Sequence, residues 1–274
     1  MLAYPRQLLR RNLSPKTYNL LRYSRWGATI YVPRLLVSLV RRSVPRIVGL
    51  WNSSEPGPLQ RLLAVNLRAP TRLCRIKTWY GSDKGKYRHN YTTVYSALFS
   101  GIRNKALRIF ELGLGTNNPD LPSSMEVQFR PGASLRGWRE FFPRALVYGA
   151  DIDRDILFEE DRIKTYYCDQ CDASSIRSMW SGPELQGCSM DIIIEDGLHT
   201  FESSMSFLNG SLEHLSVGGF YITEDIARSE FDKWIDVLET VYARRVPAYE
   251  FGLVALENEV NDYDNNLLII HRTS

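Results

Sequence analysis

The sequence predicts an α/β chain built on a doubly wound, Rossmann-like sheet, mostly parallel and seven-stranded, with an antiparallel strand near the C-terminus. Three observations predict it. From residue 106 onward, short apolar runs alternate with amphipathic stretches of helical period. Five such pairs follow one another, as βα units do. Two last apolar runs, residues 249–256 and 266–272, have no helical stretch between them, which calls for an antiparallel pairing.

Taken in order, the strand candidates are residues 107–112, 146–152, 163–169, 190–196 and 220–224, and the helical stretches are 134–142, 156–160, 174–180, 201–215 and 230–244. Ahead of them, residues 55–105 open on the turn Glu55-Pro56-Gly57-Pro58, carry Tyr80-Gly81-Ser82-Asp83-Lys84-Gly85, and lead into a helix over 91–100. Three regions result: a basic helical extension (1–54), a helical lead-in or cap (55–105) and the catalytic domain (106–274).

The net charge of +3 conceals an asymmetry, because residues 1–54 hold ten basic side chains and no acidic one. Pro33 and Pro45 break this arm into short helices. Its composition suits a phosphate-bearing partner such as an anionic membrane surface, and equally a helical cap or a contact between subunits of a homo-oligomer. Its most apolar run, Leu35 to Val40 between Arg34 and Arg41, falls far short of the ~20 residues of a spanning helix. It is also too late and too arginine-rich for a signal peptide, so a cytoplasmic, at most peripherally membrane-bound, protein is expected. Four cysteines in 274 residues do not make a disulfide scaffold.

In sheets of this kind ligands bind beyond the carboxyl ends of the strands, where strand order reverses. The first strand ends in Glu111-Leu112-Gly113-Leu114-Gly115-Thr116, and glycines two apart allow a tight turn with close backbone approach. The second ends at Asp151, suited to a ribose diol, and the third in Asp169-Gln170, suited to an adenine edge. Asn118 stands where a dinucleotide fingerprint has its third glycine. A nucleoside ligand without a pyrophosphate, S-adenosylmethionine, therefore fits better than a dinucleotide. The long connection from Thr116 to Gly132 is a candidate lid.

The fourth strand ends in Glu195-Asp196-Gly197-Leu198-His199 and the fifth in Thr223-Glu224-Asp225. Adjacent parallel strands bring Asp196, Glu224 and Asp225 together, and such carboxylates repel unless protonated or shared by a cation. Hard oxygen ligands suit Mg²⁺ or Mn²⁺. His199, three residues after Asp196, is within reach as a general base.

With these motifs on the page, residues 75–272 resemble class I methyltransferases, and among them the metal-dependent O-methyltransferases of macrolide sugar tailoring and polysaccharide clusters. The resemblance rests on Tyr80-Gly81-Ser82-Asp83-Lys84, the Glu111–Asn117 turn, Arg130-Pro131-Gly132 through Trp138, Gly149-Ala150-Asp151-Ile152-Asp153, Asp169-Gln170 and Asp196-Gly197-Leu198-His199. It implies Asp196, Glu224 and Asp225 as metal ligands, His199 as base, Glu111, Gly113, Gly115, Asp151, Asp169 and Gln170 as cofactor-binding residues, and a loop at Asp83-Lys84 folding over the cofactor. Glu195, an aspartate in many relatives, is expected to point away from the metal. The implied acceptor is a hydroxyl of a sugar or glycan, lipid-linked or free. A phenolic or macrolactone acceptor and a non-catalytic cofactor-binding scaffold are the other readings. Nucleic acid is not expected as a partner: the acceptor edge is acidic and no Asn-Pro-Pro-Tyr motif follows the fourth strand. His89 is read as a surface or capping residue, with a place lining the acceptor site as the alternative, and Cys168 and Cys171 as structural.

Overall fold

The computed structural model describes residues 41–43, 46–51, 59, 67–85, 89–125, 130–245, 248–256, 258, 261 and 263–274. Two compact units divide the chain, Met1–Arg41 and Arg42–Ser274, and every element named below lies in the second. The turn expected at Glu55–Pro58 and the arm up to residue 40 lie outside the described residues.

The strands of the main sheet are β1 (Arg46–Trp51), β2 (Arg108–Leu112), β3 (Leu146–Asp151), β4 (Glu159–Glu160), β5 (Ile163–Tyr167), β6 (Met190–Glu195), β7 (Leu215–Thr223), β8 (Tyr249–Ala255) and β9 (Asn266–Arg272). The helices are α1 (Arg72–Tyr80), α2 (Tyr91–Phe99), α3 (Ala133–Phe141), α4 (Ala173–Trp180), α5 (Phe201–Ser211) and α6 (Phe231–Val237). They form one doubly wound sheet in the order β1-β8-β9-β7-β6-β2-β3-β5-β4. The five inner strands β7, β6, β2, β3 and β5 are parallel, and β9 runs antiparallel between β7 and β8.

The sheet has nine strands where seven were expected. One addition, β1, pairs antiparallel with β8 and comes from the arm read as helical. Its run Ile47-Val48-Gly49-Leu50-Trp51 is rich in β-branched and aromatic residues, and the sheet edge satisfies its backbone better than an isolated helical turn would. The other, β4, pairs antiparallel with β5 and replaces the helix expected over 156–160; a 3₁₀ turn at Arg154–Ile156 precedes it. A run of five residues is too short to establish a helical period.

Alternation along the buried strands splits the core between two faces. Ile192 and Ile194 of β6 join Ile109, Tyr95, Phe99, Leu135 and Trp138 on the side of α1, α2 and α3. Ile193 joins Phe110, Ile176, Phe207, Tyr221 and Trp234 on the side of α4, α5 and α6. A central parallel strand must be apolar on both faces, which explains the unbroken Ile192-Ile193-Ile194. Helix starts are capped by side chains: Thr71 on α1, Asp172 on α4, and a Thr200–Ser203 capping box on α5. No described helix is long and apolar enough to cross a membrane.

Register lines up the carboxyl ends. Leu112 faces Glu195 on one side and Ala150 on the other, Glu195 faces Thr223, and Asp151 faces Tyr167. Backbone bonding continues one residue further, with Gly113 N–H donating to Ala150 O (2.8 Å), Asp196 N–H to Leu112 O (2.9 Å) and Glu224 N–H to Glu195 O (2.9 Å). Gly113, Asp196 and Glu224 therefore stand in a row where strand order reverses around β2, the position at which such sheets bind ligands.

Candidate active site

The nucleotide half is braced by its own loops. Gly113 has φ +92°, and a Cβ there would lie 1.9 Å from the backbone oxygen of Asp196. The Asp151 carboxylate accepts from Leu114 N–H (2.7 Å) and from Asp153 N–H (2.9 Å), so it ties the glycine turn to the end of β3. Burial raises its pKa, against the pull of those backbone donors. Asp169 accepts from Cys171 N–H at 2.9 Å. Gln170 accepts from Leu198 N–H (2.8 Å) and donates to Glu195 (3.1 Å), spanning from β5 to the turn after β6. Each carboxylate oxygen of Asp151 has a second lone pair, so bracing the turn and accepting from a ribose are compatible. The connection expected as a lid starts and ends at one place: Gly132 N–H donates to Leu114 O (2.8 Å) and closes its base. Residues 126–129 within it lie outside the described residues.

Glu111 is fully buried and takes a different place from the one expected of it. One of its oxygens accepts from Ser134 Oγ (2.8 Å) and from the Trp138 indole; the other lies 3.6 Å from Lys84 Nζ. It forms the floor of the carboxylate cluster. Next to it Lys77 is wholly buried, donating to Ser134 Oγ (2.6 Å) above the Trp138 ring, and burial pulls its pKa down to about 7.

The carboxylate half is crowded. Asp196, His199 and Asp225 each bring one potential ligand atom within 4.8 Å of the others. His199 Nδ1 lies 3.7 Å from Asp225 Oδ2 and 4.0 Å from Asp196 Oδ1, buried and without a hydrogen-bond partner among the described residues. His199 (φ +59°) and Asp225 (φ +55°) are two of the four described non-glycine residues held at positive φ. Such backbone costs about 1–3 kcal/mol each and persists where the surroundings dictate it. The two carboxylates, with the His199 imidazole beside them and its Nδ1 unpartnered among the described residues, fit a divalent cation.

Glu224 is placed differently from its two expected partners. One oxygen accepts from the Tyr95 hydroxyl and the other is paired with Lys84, whose ammonium also contacts Asp196 Oδ2. Lys84 is 2% exposed. Burial works to lower its pKa, but Asp196, Glu224 and Glu111 outweigh that and hold it charged. Asp225 accepts from the Tyr91 hydroxyl (2.7 Å) and lies 3.3 Å from His89 Nδ1, which stacks on Tyr91. Burial alone would raise the Asp225 pKa; the imidazoles of His89 and His199 bring it below the ordinary value. Glu195 turns away from this group toward Gln170 and Gly197 N–H.

Sequence reasoning therefore missed Lys84, His89, Tyr91 and Tyr95 as members of this cluster. The available signal was weak: Tyr91 and Tyr95 lie one helical turn apart and so share a face of α2. Nothing in the local pattern says which sheet edge that face meets.

The architecture, with β9 inserted antiparallel beside β7 and a glycine turn at the switch point, is the Rossmann-like methyltransferase fold. It is similar to the crystal structure of the MycE methyltransferase from the mycinamycin biosynthetic pathway in complex with Mg and SAH. The TM-score is 0.54 at 25% identity, covering 77% of this chain and 57% of that one. A complex of the same enzyme with Mg, SAH and mycinamycin VI matches equally. Among protein sequences, the chain is 33% identical over 182 residues to the 8-demethyl-8-alpha-L-rhamnosyl tetracenomycin-C 2'-O-methyltransferase of Streptomyces olivaceus. That match covers 64% of this chain and 44% of the relative. It is 32% identical over 168 residues to the demethylmacrocin O-methyltransferase of Streptomyces fradiae, covering 60% of this chain and 39% of that protein. The chain thus resembles these O-methyltransferases while spanning less than half their length. No family model matches it.

Proposed function

We propose that this chain is an S-adenosylmethionine-dependent O-methyltransferase acting on a hydroxyl of a sugar or glycan, with a divalent cation, Mg²⁺ or Mn²⁺, in its site. The observation that carries the proposal is the meeting of Asp196, His199 and Asp225 one strand away from the Gly113 turn. A nucleoside site and a cation site then share one edge. Relatives named for methylation of rhamnosyl and olivosyl sugars support the acceptor class.

In this reading the Gly113–Gly115 turn, Asp151, Asp169 and Gln170 hold the cofactor, which supplies the methyl group. Asp196 and Asp225, joined by Glu224, would hold the cation, which would supply Lewis-acid polarisation of an acceptor hydroxyl. His199 takes the acceptor proton, its ring set beside Asp225 and Asp196. The Tyr91 hydroxyl keeps Asp225 oriented for that task. Fixed geometry of base and acceptor contributes much of the rate.

The test is transfer of labelled methyl from S-adenosylmethionine to methyl glycosides of deoxyhexoses with a vicinal diol, by the full chain. Exhaustive chelation should abolish incorporation and added Mg²⁺ or Mn²⁺ should restore it, with cofactor binding retained. Undiminished turnover after chelation sinks the cation's role, and failure to bind the cofactor sinks the whole reading. Pelleting with anionic liposomes at low salt decides whether residues 1–54 bring the protein to a lipid-linked acceptor.

A further inference from the structure

We propose that Lys84 is a tethered stand-in for the metal: its ammonium holds Asp196 and Glu224 together until a divalent cation displaces it. The inference rests on the cation site proposed above and concerns a positioning residue that no strand-end motif reveals.

Three carboxylates from three neighbouring strands surround this one ammonium. Asp196 Oδ2 and Glu224 Oε2 are in direct contact with it and Glu111 Oε1 lies at 3.6 Å. Lys84 and Glu224 are 2% and 1% exposed, so water does not screen the group, and without Lys84 the acids would repel one another. The oxygens it occupies belong to two of the three side chains proposed to hold the metal. A divalent cation that draws on Glu224 as well as Asp196 competes with the ammonium for the same carboxylate oxygens. Binding beside it would set two positive charges within a few ångströms at a buried site.

The tether permits departure. Lys84 belongs to the short turn that follows the C-terminal cap of α1 at Gly81, where Ser82 N–H returns to Lys77 O (2.9 Å). Beyond it, Lys84 O accepts from Thr92 N–H at 3.2 Å in the first turn of α2. Withdrawal of the ammonium therefore acts on the turn over residues 82–85 and on the start of α2, whose Tyr91 and Tyr95 already touch Asp225 and Glu224. Metal loading and the loop over the site are coupled through one side chain.

The experiment uses metal-stripped full-length protein, titrated with Mn²⁺ by calorimetry. Lys84→Met should bind Mn²⁺ at least about tenfold more tightly than the wild type, because no competitor has to leave. Lys84→Arg, which keeps a cation, should stay near wild type. Equal or weaker binding by a folded Lys84→Met overturns the proposal, even where wild-type binding upholds the metal site. Binding by neither protein overturns both; binding by Lys84→Met alone also overturns the displacement, because the cation then never replaces the ammonium of the wild type. A second measurement needs no variant: hydrogen exchange across residues 82–92 of the wild type should speed up on Mn²⁺ addition. A segment equally or better protected with Mn²⁺ overturns displacement.

Discussion

The two halves of the ligand edge are built on opposite principles. In the half proposed to take the nucleoside, the side chains at the ends of β3 and β5 accept from backbone N–H groups: Asp151 from Leu114 and Asp153, Asp169 from Cys171, Gln170 from Leu198. In the carboxylate half, the acids are satisfied by side chains more than a hundred residues distant in sequence, namely Lys84, Tyr91 and Tyr95. His199 Nδ1 is not satisfied among the described residues at all. One half is a scaffold that local rules complete. The other concentrates negative charge and strained backbone, and it is stable only because a separate segment supplies a cation and two phenols. Preorganised binding and poised chemistry are thus separated along a single edge.

The sharpest way to break this comparison is at His199. Replacement by Gln keeps the size and a donor but removes the base, so kcat should fall by ~10²–10⁴ with fold, cofactor affinity and Mn²⁺ affinity retained. Loss of stability with undiminished turnover per folded molecule would make this histidine structural. The matching change in the other half is Asp151→Ala. Loss of a charge-assisted contact should weaken S-adenosylmethionine by ~1.5–3 kcal/mol in calorimetry, roughly ten- to a hundredfold. Because Asp151 also holds Leu114 N–H, the melting temperature should fall too, whereas His199→Gln should leave it nearly unchanged. Unchanged cofactor affinity with a lowered melting temperature would reduce Asp151 to a brace.

The same contrast explains what was legible in the sequence. The five parallel strands, four of the five helices expected after them, the glycine turn and the acids at strand ends were readable because parallel strands place successive carboxyl ends in one row. Alternation of apolar residues then fixed which parts of each strand were buried. Lys84 and His89 were not readable as partners of Glu224 and Asp225, which lie more than 130 positions away with no periodicity to link them. The partners of Glu111 were hidden for a related reason. As the last acid before a glycine turn it looks like a ligand group, but Ser134 and Trp138 of α3 take one of its oxygens and turn it toward Lys84. Strand β1 was hidden by composition, its apolar run being embedded in an arm whose arginines dominate.

The smallest expected effect tests where the two halves touch. Gly113 and Gly115 both have positive φ, +92° and +80°, so alanine at either meets a comparable backbone penalty of about 1–2 kcal/mol. Their surroundings differ. At Gly115 a Cβ would meet Met125 Sδ at 2.5 Å, the far end of a flexible side chain that can move aside. At Gly113 it would meet the backbone oxygen of Asp196 at 1.9 Å, which can yield only if the β6 end itself shifts. Gly115→Ala should therefore lower stability by the backbone term and leave Mn²⁺ affinity alone. Gly113→Ala should lose more stability and weaken Mn²⁺ several-fold besides, although the substituted residue lies in the nucleotide half. The difference between the two variants, read by thermal melts and Mn²⁺ titration, cancels the common φ cost and isolates that single contact. Equal Mn²⁺ affinities in both would mean that the two halves are mechanically independent despite sharing an edge.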